Sequence, residues 1–219
     1  YMELSEEARR AGANAMRAYQ DETVKWYRRI VEQCPSYEKI PKVLYYLGRT
    51  LTEMDRAADG AVFFKQLIQN HPESDWAASG WFMIGEFFFN VEADVEQAMR
   101  AYERVHAYET TRVYPFAVYK EGWCHINEGS WELALRRFKK VIDLTASQEG
   151  VLEEAARQGL RVEALRDYVR AFSNIDPQFS VKRLGRPEDA WNNFSAVGGQ
   201  DEVLRMVEAL GTLYRSRDA

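Results

Sequence analysis

The stretch from Val43 to Pro72, VLYYLGRTLTEMDRAADGAVFFKQLIQNHP, decides the fold. Leu44, Leu47 and Leu51 recur at intervals of three and four, the spacing of one face of a helix, and Gly60, Phe64 and Leu67 repeat it on a second helix. Gly48 stands inside the first pattern, where glycine costs about 1 kcal/mol relative to alanine, so a close helix crossing must compensate. Gly60 offers a small surface on the second helix, and Phe64, four residues later, puts a large side chain on the same face. The stretch therefore predicts two helices packed as a pair, with the aromatic ring filling the gap beside the glycines.

The same spacing occurs twice more. Trp81, Ile84, Gly85 and Phe88 are answered by Ala98, Tyr102 and Val105; Val118, Gly122 and His125 are answered by Ala134, Phe138 and Val141. Gly48, Gly85 and Gly122 stand 37 residues apart. One such hairpin cannot bury its apolar face alone, so neighbouring hairpins are expected to stack.

The pattern resembles the tetratricopeptide repeat, in which W-x2-L-G-x2-Y on one helix is answered by A-x3-F and a closing proline on the next. The resemblance implies an all-α fold, a right-handed α-solenoid of antiparallel helix pairs. In register, the chain divides into a degenerate first repeat at 1–37 and further repeats at 41–74, 76–111 and 114–147. An atypical fifth follows at 150–199, with an inserted loop at 173–187, and the first helix of a sixth at 200–219. The aromatic positions Tyr27, Phe64, Tyr102, Phe138 and Phe194 are separated by 37, 38, 36 and 56 residues, which locates the insertion in the fifth repeat. In the first repeat Ala11 takes the place of the glycine, and Asp21 is a candidate cap for a second helix; one uninterrupted helix over residues 3–33 is the alternative. Asp94 followed by Gln97 reads as a capping box, and Gly129 with Ser130 as a turn. The opening Tyr1–Met2 and the unanswered pattern Val207, Leu210, Gly211 and Tyr214 lead to the expectation of a fragment of a longer repeat protein.

The bulk composition narrows the class of partner. With 46% hydrophobic and 29% charged residues the chain has the balance of a folded, water-soluble protein. A net charge of -5 gives no general basic field, which argues against nucleic acid. No apolar run is long enough to span a membrane. Cys34 and Cys124 form neither a C-x-x-C nor a metal-ligand pattern and are expected to be free thiols packed as small hydrophobes. His71, His106 and His125 make no metal-binding pair, and neither a nucleophile elbow nor a phosphate-binding loop occurs. Cys124 and His125 are adjacent and so point about 100° apart on a helix, which does not make a nucleophile and base. No catalytic residue, metal or cofactor is expected.

The resemblance also implies a surface. In such repeats the first helix of each pair lines the concave side, and fixed slots along it face the groove. Carried over by position, these are Lys42, Tyr45, Arg49, Thr52 and Glu53; Ser79, Phe82, Glu86, Phe89 and Asn90; and Phe116, Tyr119, Trp123, Ile126 and Asn127. Tyr45, Phe82 and Tyr119 fall in one slot and are expected to form an aromatic column thickened by Phe89, Phe116 and Trp123, with packing against the next repeat as the other role for such rings. Aromatic side chains are the commonest anchors at protein interfaces, so the expected guest is an apolar or aromatic-bearing peptide or helix. The Lys and Asn positions with which related repeats clamp a terminal carboxylate are absent here. Arg49 and Glu86 could pair with each other, meet charges on a partner or simply be solvated. The phrases Lys120–Cys124 and Gly129–Leu133 resemble the repeats of bacterial cell-envelope proteins of the BamD-like, TolA-binding-like and gliding-motility kinds. That implies a periplasmic or outer-membrane-associated adaptor; a cytoplasmic setting and a regulatory sensor of peptide or ligand are the alternatives.

Overall fold

The computed structural model describes residues 2–146, 150–178, 180 and 184–217. They form helices joined by short turns: α1 (Met2–Gln33), α2 (Ile40–Glu53), α3 (Ala57–Asn70), α4 (Ala77–Phe87), α5 (Val95–Arg104), α6 (Tyr114–Asn127), α7 (Trp131–Leu144), α8 (Glu154–Asn174), α9 (Ala190–Ser195) and α10 (Gln200–Arg217). No strand is present among the described residues. The helices fall into two units, residues 1–93 and 94–219, and the boundary passes between the two helices of the expected third repeat.

In the first unit, α2 and α3 form the pair predicted from Val43–Pro72. A Cβ on Gly48 would lie 2.7 Å from Cε1 of Phe64 and 2.9 Å from the carbonyl oxygen of Gly60, so the two backbones touch only because both residues lack one. Phe64, Leu44, Leu47, Leu51 and Leu67 are buried around that crossing. The C-terminal part of α1 closes the core, with Val24 against Leu47 and Leu51 and with Tyr27 and Val31 at its edge. Gly80 on α4 meets Ile68 and Leu67 of α3 at the same kind of close approach.

The first repeat differs from the expected hairpin. Met2–Gln33 is one helix, so the uninterrupted alternative describes it and the pair at 1–37 does not. The physical reason lies between Gly12 and Pro35, where neither glycine nor proline interrupts the helical run. Thr23 turns its hydroxyl back to the Tyr19 carbonyl at 2.8 Å, a bond made inside a continuous helix. The Ala11 side chain lies outside the described residues.

The second unit repeats the glycine–ring contact. A Cβ on Gly122 of α6 would come within 2.6 Å of Cε1 of Phe138 on α7. Tyr102, Phe138, Phe172 and Phe194 are all fully buried, and the Phe172 and Phe194 rings meet edge to face at 5.2 Å, joining α8 to the short α9. Asp94 caps α5 by accepting the Gln97 backbone N–H at 2.9 Å, and the Gln97 side-chain amide donates to the other carboxylate oxygen at 2.8 Å. The turns α2–α3, α4–α5 and α6–α7 each pass through one residue in the left-handed region, Asp55 (φ 61), Ala93 (φ 54) and Gly129 (φ 69).

Beyond residue 150 the period is lost because α8 runs for 21 residues, half as long again as α6 or α7. Of the expected insert at 173–187, residues 179 and 181–183 lie outside the described residues. Residues 173 and 174 end α8, and several of the described residues after them are docked. Ile175 and Ser180 are buried, Ser180 donates to Glu132 of α7 at 2.5 Å, and the Gly185 carbonyl accepts from Tyr214 of α10 at 3.1 Å. Arg161 of α8 donates to the Ile142 carbonyl near the end of α7 at 2.8 Å and to both carboxylate oxygens of Glu202 on α10 at 2.7 and 2.8 Å. One side chain thus ties three helices.

Both cysteines are free, Cys124 buried as expected and Cys34 exposed, because Cys34 follows the last turn of α1 and has no helix over it. No described helix is long and apolar enough to cross a membrane.

Candidate partner-binding surface

The predicted groove residues divide into those that remain open and those that the fold consumes. In the first unit the Tyr45 ring is half-buried among Trp76 at 4.9 Å, Tyr46 at 5.4 Å and Phe64 at 6.0 Å. Burial raises its phenol pKa. Lys42 places its ammonium 6.0 Å from the Tyr46 ring centre, so the surface is an aromatic cluster with a cationic edge. Arg49 is exposed and pairs with Glu53 at 2.8 Å, one turn along its own helix. Asn90 donates to the Glu86 carbonyl at 3.0 Å and to its carboxylate at 3.2 Å. Phe82 and Phe89 are half-buried, and Phe89 lies in a widened π turn, Phe88–Glu92, that ends α4.

In the second unit Phe116 and Trp123 are half-buried on α6, and Asn127 is exposed, with its amide on the Trp123 carbonyl at 2.8 Å. Tyr119 requires a correction as an open anchor. It is 8% exposed, its ring packs 5.6 Å from Phe138, and its hydroxyl donates to Asp167 of α8 at 2.5 Å. The ring is held because Asp167 is itself fully buried and needs a donor. Burial first, then the bond to Asp167, pushes the phenol pKa far above its ordinary value, so the hydroxyl stays a donor at physiological pH.

Two features of this wall were not legible without coordinates. Asp167 keeps Oδ1 without a hydrogen bond, facing Arg166 at 3.6 Å and Arg170 at 4.0 Å, and Arg170 also lies over the Trp123 ring at 5.2 Å. The broken period gives these α8 residues no register beyond Gly150; the run Arg166-Asp167 followed by Arg170 is the signal that the sequence carries. Glu121, beside the packing glycine, is fully buried between His106 at 2.6 Å and Arg137 at 3.0 Å, the latter out of line for a hydrogen bond. Burial raises its carboxyl pKa, with Arg137 and then His106 pulling the other way. A glutamate in an otherwise apolar helix face was the sequence signal for this ionic cluster. His125 instead makes a local contact with Glu128 at 3.2 Å.

Comparison with known proteins agrees with this architecture. The family model described as tetratricopeptide repeat matches residues 42–74. A solved structure entitled "Crystal structure of MamA protein" is similar with a TM-score of 0.60 at 18% identity, covering 92% of this chain and 90% of that one. A putative kinesin light chain from Podospora anserina, whose title describes nearly identical TPR-like repeats, is similar with a TM-score of 0.57 at 11% identity, covering 94% of this chain and 96% of the other. No curated protein matches in sequence. The chain carries a tetratricopeptide repeat at residues 42–74, within an all-α fold of helix pairs similar to that of these structures.

Proposed function

We propose that the chain is a non-catalytic protein-binding scaffold that holds an apolar or aromatic-bearing peptide or helix of a partner against the first helices of its repeats. The observation that carries this reading is the state of the rings on those helices. The aromatic slots of the second helices, Phe64, Tyr102 and Phe138, are buried, whereas Tyr45, Phe82, Phe89, Phe116 and Trp123 on the first helices stay half-buried. Large rings left partly open on one set of helices are the usual anchors of interfaces. Tyr119, bonded to Asp167, is a wall residue in this reading. The setting in a bacterial cell-envelope assembly or motility machine rests on the likeness of Lys120–Cys124 and Gly129–Leu133 to envelope repeats.

Site-specific photo-crosslinking tests the proposal. A benzoylphenylalanine at Trp123 or Phe82 is expected to trap a partner protein from a bacterial envelope extract, and the same probe at Lys140 on the exposed side of α7 is not. Equal adducts at all three positions, or none at Trp123 and Phe82, would overturn it.

A further inference from the structure

We infer that the cleft between α8 and α10 is a second anchoring point, specific for a protein segment that presents one large apolar side chain flanked by carboxylates. This rests on the scaffold reading above and adds to it the chemistry of the guest. The cleft encloses about 200 Å³ and is floored by Leu165, Val169 and Met206, which are 7%, 1% and 3% exposed. Ligand pockets for whole small molecules run to about 300–1,000 Å³, so this one suits a side chain rather than a cofactor. Its lip is apolar where Val162 is 62% exposed.

The charges on its rim select among apolar guests. Arg166 lines the cleft from α8 and Arg205 from α10. The Arg166 side chain is 62% exposed, and its Nε lies 3.6 Å from the buried Asp167 carboxylate. Arg205 uses its Nε on the Asp201 carbonyl at 3.3 Å, within its own helix. Glu202 is the acidic residue lining the cleft, and it is already engaged. Arg161 binds both its oxygens, the Gly199 N–H donates to it at 2.8 Å, and its carboxyl is held below the usual range chiefly by the Arg161 bond. Its oxygens are thus taken by Arg161 and Gly199, and Arg205 acts on it only as a longer-range charge, so both rim arginines keep hydrogen-bond donors for a guest. An apolar hole between two cations from different helices is complementary to carboxylates one helical turn on either side of an apolar residue, since rim charges of matching sign choose partners.

The test uses the whole chain with its methionine methyls carbon-13 labelled, the Met206 signal being assigned by Met206→Leu. The probe is a helical alanine-based peptide with one leucine and a glutamate one turn to either side, with a lysine-for-glutamate twin as control. Glutamate peptide is expected to move the Met206 methyl saturably and the lysine twin to leave it in place. Arg205→Glu, a change at an exposed side chain, weakens binding about tenfold, the effect of reversing one rim charge. Arg166→Gln gives the same direction in a variant that places no new charge near Asp167. An unmoved Met206, or a response indifferent to both variants, overturns the inference. If the peptide binds but only Trp123→Ala weakens it, the scaffold reading stands and the cleft assignment falls. Self-association that Arg205→Glu abolishes would assign the cleft to a second copy of this chain and likewise overturn it.

Discussion

The hydroxyl of Tyr119 donates a 2.5 Å hydrogen bond to the buried carboxylate of Asp167, tying α6 to α8 across 48 residues of sequence. Nothing but Tyr119 hydrogen-bonds that carboxylate among the described contacts, and its other oxygen faces two arginines at longer range. Tyr119→Phe removes the donor and leaves the acceptor buried, which costs about 1–3 kcal/mol. Urea denaturation is expected to show that loss in the wild-type background. In an Asp167→Asn background the loss shrinks, because the charge that needed the donor is gone. Equal losses in both backgrounds would assign the effect to packing of the ring.

Gly122 and Gly159 are both helical glycines, and they should respond to alanine with opposite signs. At Gly122 the new Cβ would stand 2.6 Å from the Phe138 ring, and at Gly159 it would meet nothing within 4 Å. Gly122→Ala is therefore expected to lose about 1–3 kcal/mol to overpacking. Gly159→Ala is expected to gain about 0.5–1 kcal/mol from reduced backbone entropy in the unfolded chain. Thermal melting of the two variants side by side checks both, and a loss at Gly159 would contradict the open surface placed there.

The contrast between these glycines explains what could be read without coordinates. Gly48 with Phe64, and Gly122 with Phe138, were legible because a missing side chain on one helix and a large one on the next recur at fixed spacing in each copy. The state of a surface ring is not written that way. Tyr45 and Tyr119 occupy the same slot, yet Tyr45 remains half-buried beside Trp76, whereas Tyr119 is sealed by Asp167 of α8. The fused first helix was ambiguous for a related reason, since a cap such as Asp21 starts a new helix only where a turn precedes it. The α8 residues Arg166 and Arg170 were hidden by the longer helix, which removed the register that assigned the other slots.

Two carboxylates give pH dependences of opposite sign. Glu202 has its pKa lowered by Arg161, so its stabilising effect is present at neutral pH and is lost as pH falls through that depressed value. Glu202→Gln is expected to cost about 1 kcal/mol near neutrality, and the difference from wild type should begin to shrink near the ordinary glutamate value of about 4.3 and vanish below the depressed one. Glu121 has its pKa raised by burial, so its protonation favours the folded state in acid. That contribution declines as pH rises from the ordinary value through the raised one. Denaturation midpoints of wild type and Glu121→Gln across the acid range should therefore diverge in favour of wild type toward low pH, the reverse of the trend for Glu202→Gln.

Trp123 separates a binding role from a structural one. Its ring is half-buried beneath the Arg170 guanidinium at 5.2 Å, and the bond from Asn127 is made to its backbone carbonyl, which survives truncation of the side chain. Trp123→Ala should consequently leave helicity unchanged and lower stability by about 1–2 kcal/mol, from the lost cation–ring contact and the buried half of the ring. Partner capture should fall further, since a central aromatic anchor is worth about 2 kcal/mol or more at an interface. Tyr119→Ala makes the informative comparison, because removing a buried ring and its bond to Asp167 should impair folding itself. Circular dichroism and partner capture measured on both variants resolve the matter: a Trp123→Ala protein that unfolds as readily as Tyr119→Ala would place Trp123 in the core and remove it from the binding surface.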